Sequence, residues 1–91
     1  MIQKYWGKYL NFSLCSVDLK KPRTYKQAKW LIELVHYNQH SIIEQGFVFW
    51  NDKKQTYYFD PEEERLIPEH HWKEILRFIK ERNREVNNNG K

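Results

Sequence analysis

The hydrophobic positions of the chain first follow a two-residue period. From Tyr9 to Val17 apolar and polar side chains alternate. The apolar side of this stretch consists of Leu10, Phe12 and Leu14. Alternation of this kind predicts a strand that buries one of its two faces.

A helical period follows. Thr24 suits a helix N-cap, and the next apolar residues recur with the spacing of one helix face. That arc consists of Ala28, Leu31, Ile32, Val35 and Ile42. The pattern predicts a helix from about Tyr25 to about His40, with Glu44 as its furthest extent and Gly46 as its stop.

The last part of the chain predicts a hairpin and a second helix. Two β-rich runs, 47–50 and 55–59, flank four polar residues, which is typical of a β-hairpin. Residues 65–67 follow a turn and predict a short third strand. From Pro68 onward a new apolar arc indicates a helix; it consists of Trp72, Ile75, Leu76, Ile79 and Val86.

These elements predict one small α+β domain over residues 1–86. Their order is β-α-β-β-(β)-α, and the simplest arrangement is an antiparallel sheet with two amphipathic helices packed on one face. The Asn-rich residues 87–91 have nothing to bury, so we expect a disordered tail there.

Composition narrows the class of protein. The chain has 91 residues, fifteen aromatics and one cysteine. A single cysteine excludes an intramolecular disulfide framework, and no apolar run approaches the roughly 20 residues of a membrane span. We therefore expect a cytoplasmic protein that has no membrane partner.

Charge is segregated along the chain, although the net value is only +4. Residues 1–35 carry a net +5, residues 36–69 a net −4 and residues 70–91 a net +3. Because an acidic middle segment lies between two basic ends, we expect the positive charge to be concentrated on part of the protein surface and not spread evenly over it.

The second predicted helix carries a cationic row made of Lys73, Arg77, Lys80 and Arg84. Their i, i+4, i+7, i+11 spacing places them on one helix face, over roughly 16 Å. Such a row can follow the phosphates of DNA or RNA, and this predicts a small basic module that binds the nucleic-acid backbone. The competing interpretation is a solvated face with pairs such as Glu69 to Lys73 and Arg77 to Glu81.

A second basic cluster lies on the first predicted helix. Lys26, Lys29 and Trp30 combine cations with a large aromatic, so we expect them to extend the nucleic-acid surface. The alternative is that Trp30 is covered by other parts of the fold.

The hairpin supports an alternative function. Phe47 and Phe49 fall on one face, and Val48 and Trp50 fall on the other, so both faces are apolar. One face should pack on the helices, and the other could stack bases or bury in a dimer. In a protein-interaction or inhibitor module, which could also self-associate, the anchors would be Trp50, Tyr57, Tyr58 and the acidic pair Glu62 and Glu63.

The composition also suggests an origin for the chain. Abundant Lys, Asn, Ile, Tyr and Phe are typical of AT-rich genomes, and a domain of this size is typical of phage, viral or plasmid reading frames.

Catalytic chemistry has little support in the sequence. His36 and His40 are the weak candidates for metal ligands, because i, i+4 spacing would place both on one face of the first predicted helix. The sequence contains no phosphate-binding loop, dinucleotide fingerprint or nucleophile elbow. We expect a protein that is not an enzyme, with no cofactor and no resident metal.

Overall fold

A computed structural model describes residues 4–15, 24–36, 41–61 and 67–89. These ranges contain a five-stranded sheet and one long helix. The elements are β1 (Lys4–Trp6), β2 (Leu10–Leu14), a 3-10 turn (Tyr25–Gln27), β3 (Lys29–His36), β4 (Ser41–Asn51), β5 (Thr56–Pro61) and α1 (Glu69–Asn89). Across the described ranges, no helix has both the length and the apolar character needed to cross a membrane.

The sheet is an antiparallel meander. Its strands lie in chain order, β1-β2-β3-β4-β5, and each pairs with the next. The helix α1 packs across one face of this sheet. The prediction of a small α+β domain with an antiparallel sheet is therefore confirmed, and the described ranges contain one α-helix.

The predicted first helix is wrong, because residues 29–36 form strand β3 in the middle of the sheet. Only the short 3-10 turn at Tyr25–Gln27 is helical in that region. In β3 the side chains of Trp30 and Ile32 point to the buried side, where both are almost inaccessible to solvent. Leu31 is also apolar but lies on the opposite face, so the alternation was hidden and a helical arc matched equally well.

Gly46 was predicted to end a helix, and this prediction is wrong as well. It lies inside β4, opposite Ile32, next to a shift in register between β3 and β4. Its φ is +144°, and a Cβ atom there would lie 2.3 Å from the backbone oxygen of Asp60. Glycine is required because both the backbone conformation and the close approach of β5 exclude a side chain.

The predicted hairpin and C-terminal helix are confirmed. Strands β4 and β5 enclose a turn at residues 52–55, and α1 begins one residue after Pro68. The helix continues through Asn89, so it includes three of the residues for which a disordered tail was expected. Of the predicted third strand at 65–67, two residues lie outside the described ranges, and Ile67 belongs to no strand.

The core lies between α1 and one face of the sheet. Its buried side chains are Leu10, Phe12, Trp30, Ile32, Val48, Tyr57, Ile75 and Phe78. Phe12 and Phe78 stack with their ring centroids 4.1 Å apart, and Trp30 meets Phe78 edge-on at 5.3 Å. Since every strand from β2 to β5 contributes, burial of this face holds the sheet to α1.

Candidate nucleic-acid interface

The four side chains of the cationic row are exposed on the outer face of α1. At 100° per residue they lie opposite the residues that α1 buries. Those buried residues are His71, Ile75, Phe78 and Arg82. The cationic row therefore runs along the ridge of the helix that lies farthest from the sheet.

Glu74, one of the acids on α1, is turned away from the cationic row. Its carboxylate accepts hydrogen bonds from the backbone amides of the turn between β1 and β2. Tyr9 N–H donates to it at 3.0 Å and Leu10 N–H donates at 3.0 Å, with Lys8 N–H as a third donor. Gly7 allows this approach, because a Cβ atom there would lie 2.8 Å from the carboxylate.

The other two acids flanking the row approach Arg82. Its guanidinium lies 3.2 Å from Glu85 and 3.8 Å from Glu81. Arg82 is only 5% exposed and its guanidinium stacks 3.9 Å from the ring centre of Tyr5. Within the described ranges its Nε and Nη1 have no hydrogen-bond partner. A buried cation therefore attracts the acids that would otherwise neutralise the outer row.

Most of the positive charge of the cationic row is left uncompensated. Lys73 lies 3.5 Å from Glu69, but both side chains are largely exposed, and such pairs contribute little. Among the residues that the structure describes, no ion pair involves Arg77, Lys80 or Arg84. Of the two i, i+4 pairs that the solvated-face interpretation named, Glu69–Lys73 is present, and Arg77–Glu81 is absent from that set.

An apolar margin lies beside the cationic row. Leu76 is 57% exposed, and Trp72 is partly exposed while its ring meets Phe59 edge-on at 5.3 Å. A shallow hollow on the same side is lined by Leu76, Ile79, Lys80, Asn83, Arg84 and Asn87. The outer face of α1 thus offers cations together with carbon surface that could contact sugars or bases.

A cleft opens on the other side of the row, between α1 and the β1–β2 hairpin. It measures about 300 Å³, and Arg77 is the one member of the cationic row that lines it. The aromatic residues Tyr5, Phe12 and Phe78 also line this cleft. Arg77 therefore borders both the helix ridge and an aromatic-rimmed recess.

The second predicted basic cluster does not extend this surface. Trp30 is 3% exposed and belongs to the core, so it is unable to stack on a ligand. Lys29 projects from the opposite face of the sheet, where its ammonium lies 4.2 Å from the ring centre of Phe47. Lys26 belongs to the 3-10 turn, and its ammonium lies 3.2 Å from Asp52 in the β4–β5 turn. The expectation that Lys26, Lys29 and Trp30 join the cationic row is therefore wrong.

Two of the predicted protein-interaction anchors are engaged within the fold. Trp50 donates its indole N–H to Asp52 at 3.2 Å, and its ring meets Tyr25 edge-on at 4.8 Å. That indole hydrogen bond and the neighbouring Lys26 lower the pKa of the Asp52 carboxyl. The Trp50 ring is thereby held in place by contacts within its own chain.

Tyr57 is buried, and its hydroxyl donates to the backbone oxygen of Tyr25 at 3.0 Å. Burial, with the nearby Glu85 carboxylate, raises the pKa of Tyr57 to about 12. Tyr58 faces away from α1 and is 36% exposed, so it is accessible to a partner. Glu62 and Glu63 lie outside the described residues.

The predicted histidine pair loses its geometric basis. His36 belongs to strand β3, so the helical i, i+4 relation to His40 does not hold, and His40 lies outside the described ranges. Within those ranges no three His, Cys, Asp or Glu side chains are grouped so as to hold a metal ion.

Two other histidines pack together at the start of α1. His70 and His71 lie beside Tyr9, with centroid distances to its ring of 4.5 Å and 5.8 Å. Burial and the neighbouring His70 lower the pKa of His71. These contacts indicate a structural role for the pair, which joins α1 to the β1–β2 turn.

Comparison with known proteins identified no relative. No protein-family description matches the chain, and neither the curated proteins nor the solved structures contain a significant match.

Proposed function

We propose that the protein binds the phosphate backbone of nucleic acids through the outer face of α1. The observation that carries this proposal is the exposed cationic row, three of whose members are free of ion pairs among the described residues. Of the four acids on this helix, Glu74 is held by the β1–β2 turn and Glu81 and Glu85 by Arg82, so that, within the described ranges, only Glu69 pairs with a member of the row. The positive field of the row is therefore available to an external anion.

The geometry suits a backbone contact rather than reading of base sequence. The row spans about 16 Å, which corresponds to about five phosphates along one strand of a duplex. Lysine and arginine side chains reach phosphate oxygens by hydrogen bonding and release the counterions condensed on the strand. Such contacts fix position on the nucleic acid and carry no direct sequence information.

Salt dependence gives a quantitative expectation. Four phosphate contacts predict a slope of about −3.6 in log K against log salt for duplex DNA. Affinity should then fall about 150-fold between 50 and 200 mM salt, and about 50-fold for a single strand. Fluorescence anisotropy with labelled duplex DNA, single-stranded DNA and RNA measures each slope.

Charge reversal of two row residues tests the surface itself. Arg77→Glu combined with Lys80→Glu should weaken binding similarly for all sequences and reduce the salt slope by about two. The matched control reverses Lys53 and Lys54 in the exposed β4–β5 turn, which changes net charge equally without altering α1. The proposal fails if wild type does not bind at low salt, or if the two double variants lose affinity equally.

A further inference from the structure

The open face of the sheet, which is the face turned away from α1, combines aromatic and charged side chains. Strand alternation and the pairing register place its members on all five strands. They include Lys4, Trp6, Asn11, Ser13, Lys29, Leu31, Glu33, Glu44, Phe47, Phe49, Tyr58 and Asp60. This set is larger and more apolar than the solvent face of a sheet requires.

An apolar band crosses the open face diagonally. It begins at Trp6 on the edge strand β1, is interrupted on β2 by the polar residues Asn11 and Ser13, continues at Leu31 in the centre and ends at Phe49 and Tyr58 on β4 and β5. The rings of Phe49 and Tyr58 meet at a centroid distance of 4.2 Å. Phe47 widens the band beside Leu31, its partner in the register.

Charges of opposite sign lie on the two sides of the apolar band. Lys29 and Glu33 occupy the two ends of one stretch of β3, about 13 Å apart, with Leu31 midway. A line of residues paired from strand to strand crosses the sheet from Lys4 through Ser13, Leu31 and Phe47 to Asp60, so that Lys4 and Asp60 lie at its two ends. Both cations therefore lie on one side of the band, and the acids Glu33, Glu44 and Asp60 lie on the other.

The two cations of the open face lack acidic partners within the described ranges. Lys4 lies 4.6 Å from the ring centre of Trp6, and Lys29 lies 4.2 Å from that of Phe47. No ion pair among the described residues involves either lysine. Each ammonium thus covers part of the apolar band and is free to meet a carboxylate from outside.

We propose that the open face binds a second copy of this chain, in a dimer whose two-fold axis runs along the apolar band. Rotation by 180° about that axis places the apolar band of one copy against the apolar band of the other. It also places Lys4 and Lys29 of each copy over the acidic side of the other. The same patch is thus complementary to itself, as a two-fold interface requires.

This packing is compatible with known sheet geometry. Because the band is diagonal, the strands of the two copies cross at a steep angle, closer to the orthogonal than to the aligned class of sheet packing. Stacked sheets lie about 10 Å apart, a gap that aromatic side chains fill and that long charged side chains bridge. Three acids on the open face disfavour a nucleic acid as its occupant. Both copies of α1 remain on the outside, so the dimer does not depend on the proposed function.

Two charge-reversed proteins test the proposal. The first, Lys4→Glu with Lys29→Glu, has an all-acidic open face, and the second, Glu44→Lys with Asp60→Lys, has a mostly basic one. Each alone should dimerise at least tenfold more weakly than wild type, since like charges then meet. An equimolar mixture should form a heterodimer, measured by native mass spectrometry and sedimentation equilibrium, because opposite charges face each other again.

The controls separate this result from misfolding and from general charge effects. Circular dichroism should show that both proteins are folded, and heterodimer formation itself requires folded partners. The Lys53→Glu, Lys54→Glu variant changes net charge as much as the first protein but should dimerise like wild type. The proposal is overturned if wild type stays monomeric up to about 1 mM, if neither reversal weakens the dimer, or if the mixture forms no heterodimer.

Discussion

The two faces of the sheet carry aromatic side chains, but each face uses them differently. Beneath α1 the rings contact one another, as in the stack of Phe12 on Phe78 and the edge-on contact of Trp30 with Phe78. Both faces also contain cation–ring contacts, but the cation beneath α1, Arg82, is paired with Glu85. On the open face Phe49 and Tyr58 contact each other, while the rings of Trp6 and Phe47 are approached by lysine ammonium groups that have no acidic partner among the described residues. Aromatic content alone therefore does not distinguish a core from a recognition surface; the distinction comes from the neighbours of each ring.

The largest expected difference between the two faces comes from removing one phenylalanine from each. Phe78→Ala opens a cavity in the buried layer and should lower the free energy of unfolding by about 3–5 kcal/mol. Phe49→Ala removes a half-buried ring and should cost about 1 kcal/mol. Urea unfolding in the Lys4→Glu, Lys29→Glu background measures both values without a contribution from self-association. Equal losses would show that the open face is packed like the core.

A smaller effect should follow from adding a methyl group at Gly46, where β4 approaches β5. Gly46→Ala should destabilise the fold by about 1–3 kcal/mol, because the new Cβ would meet the backbone of Asp60. Gly7→Ala is the matched control, since its Cβ would meet only the carboxylate of Glu74, a side chain that can move. In thermal unfolding, the melting temperature of Gly46→Ala should be well below that of Gly7→Ala. The reverse order would contradict the close approach of β5 to Gly46.

The smallest effect concerns pH and belongs to the α1 side. The pKa of His71 is lowered from its ordinary value of 6.5, so the unfolded chain binds this proton more readily than the folded protein. Stability should therefore decrease as pH falls below about 6.5 toward the lowered folded-state pKa. The titratable neighbours of His71 act in opposite directions: His70 lowers the pKa of His71, and Glu74 raises it. Urea unfolding midpoints at pH 7.5 and 5.5 measure how strongly stability depends on pH. His71→Phe should reduce this dependence; an unchanged dependence in the variant would show that other groups cause it.

Sequence patterns predicted the elements whose signals are local. The β4–β5 hairpin has two β-rich runs around a polar turn, and α1 has a sustained helical arc after Pro68, so both are confirmed. The division of Phe47 and Phe49 from Val48 and Trp50 between the two sheet faces is also confirmed by the register.

Strand β3 was missed because its outward face is partly apolar. A helix over this region would place the large aromatic Trp30 outside the predicted apolar arc, and a two-residue period accounts for this residue better. Glu74 and Arg82 were not singled out, since their roles depend on residues distant in the sequence. Glu74 contacts Tyr9, 65 residues away, and Arg82 stacks on Tyr5. Charge spacing along one helix does not reveal which charges another element will bind.

The hydrogen bonds between Glu74 and the β1–β2 turn affect how the fold is assembled. They join backbone amides near one end of the chain to a carboxylate 64–66 residues further on, in a chain of 91. Contacts of such long sequence separation raise the contact order and slow folding, because a large loop must close before they form. During synthesis the β1–β2 turn emerges well before its helix, so its amides must remain hydrated until α1 is made. The docking of the first hairpin is thus expected to be a late step, governed by the arrival of the last helix.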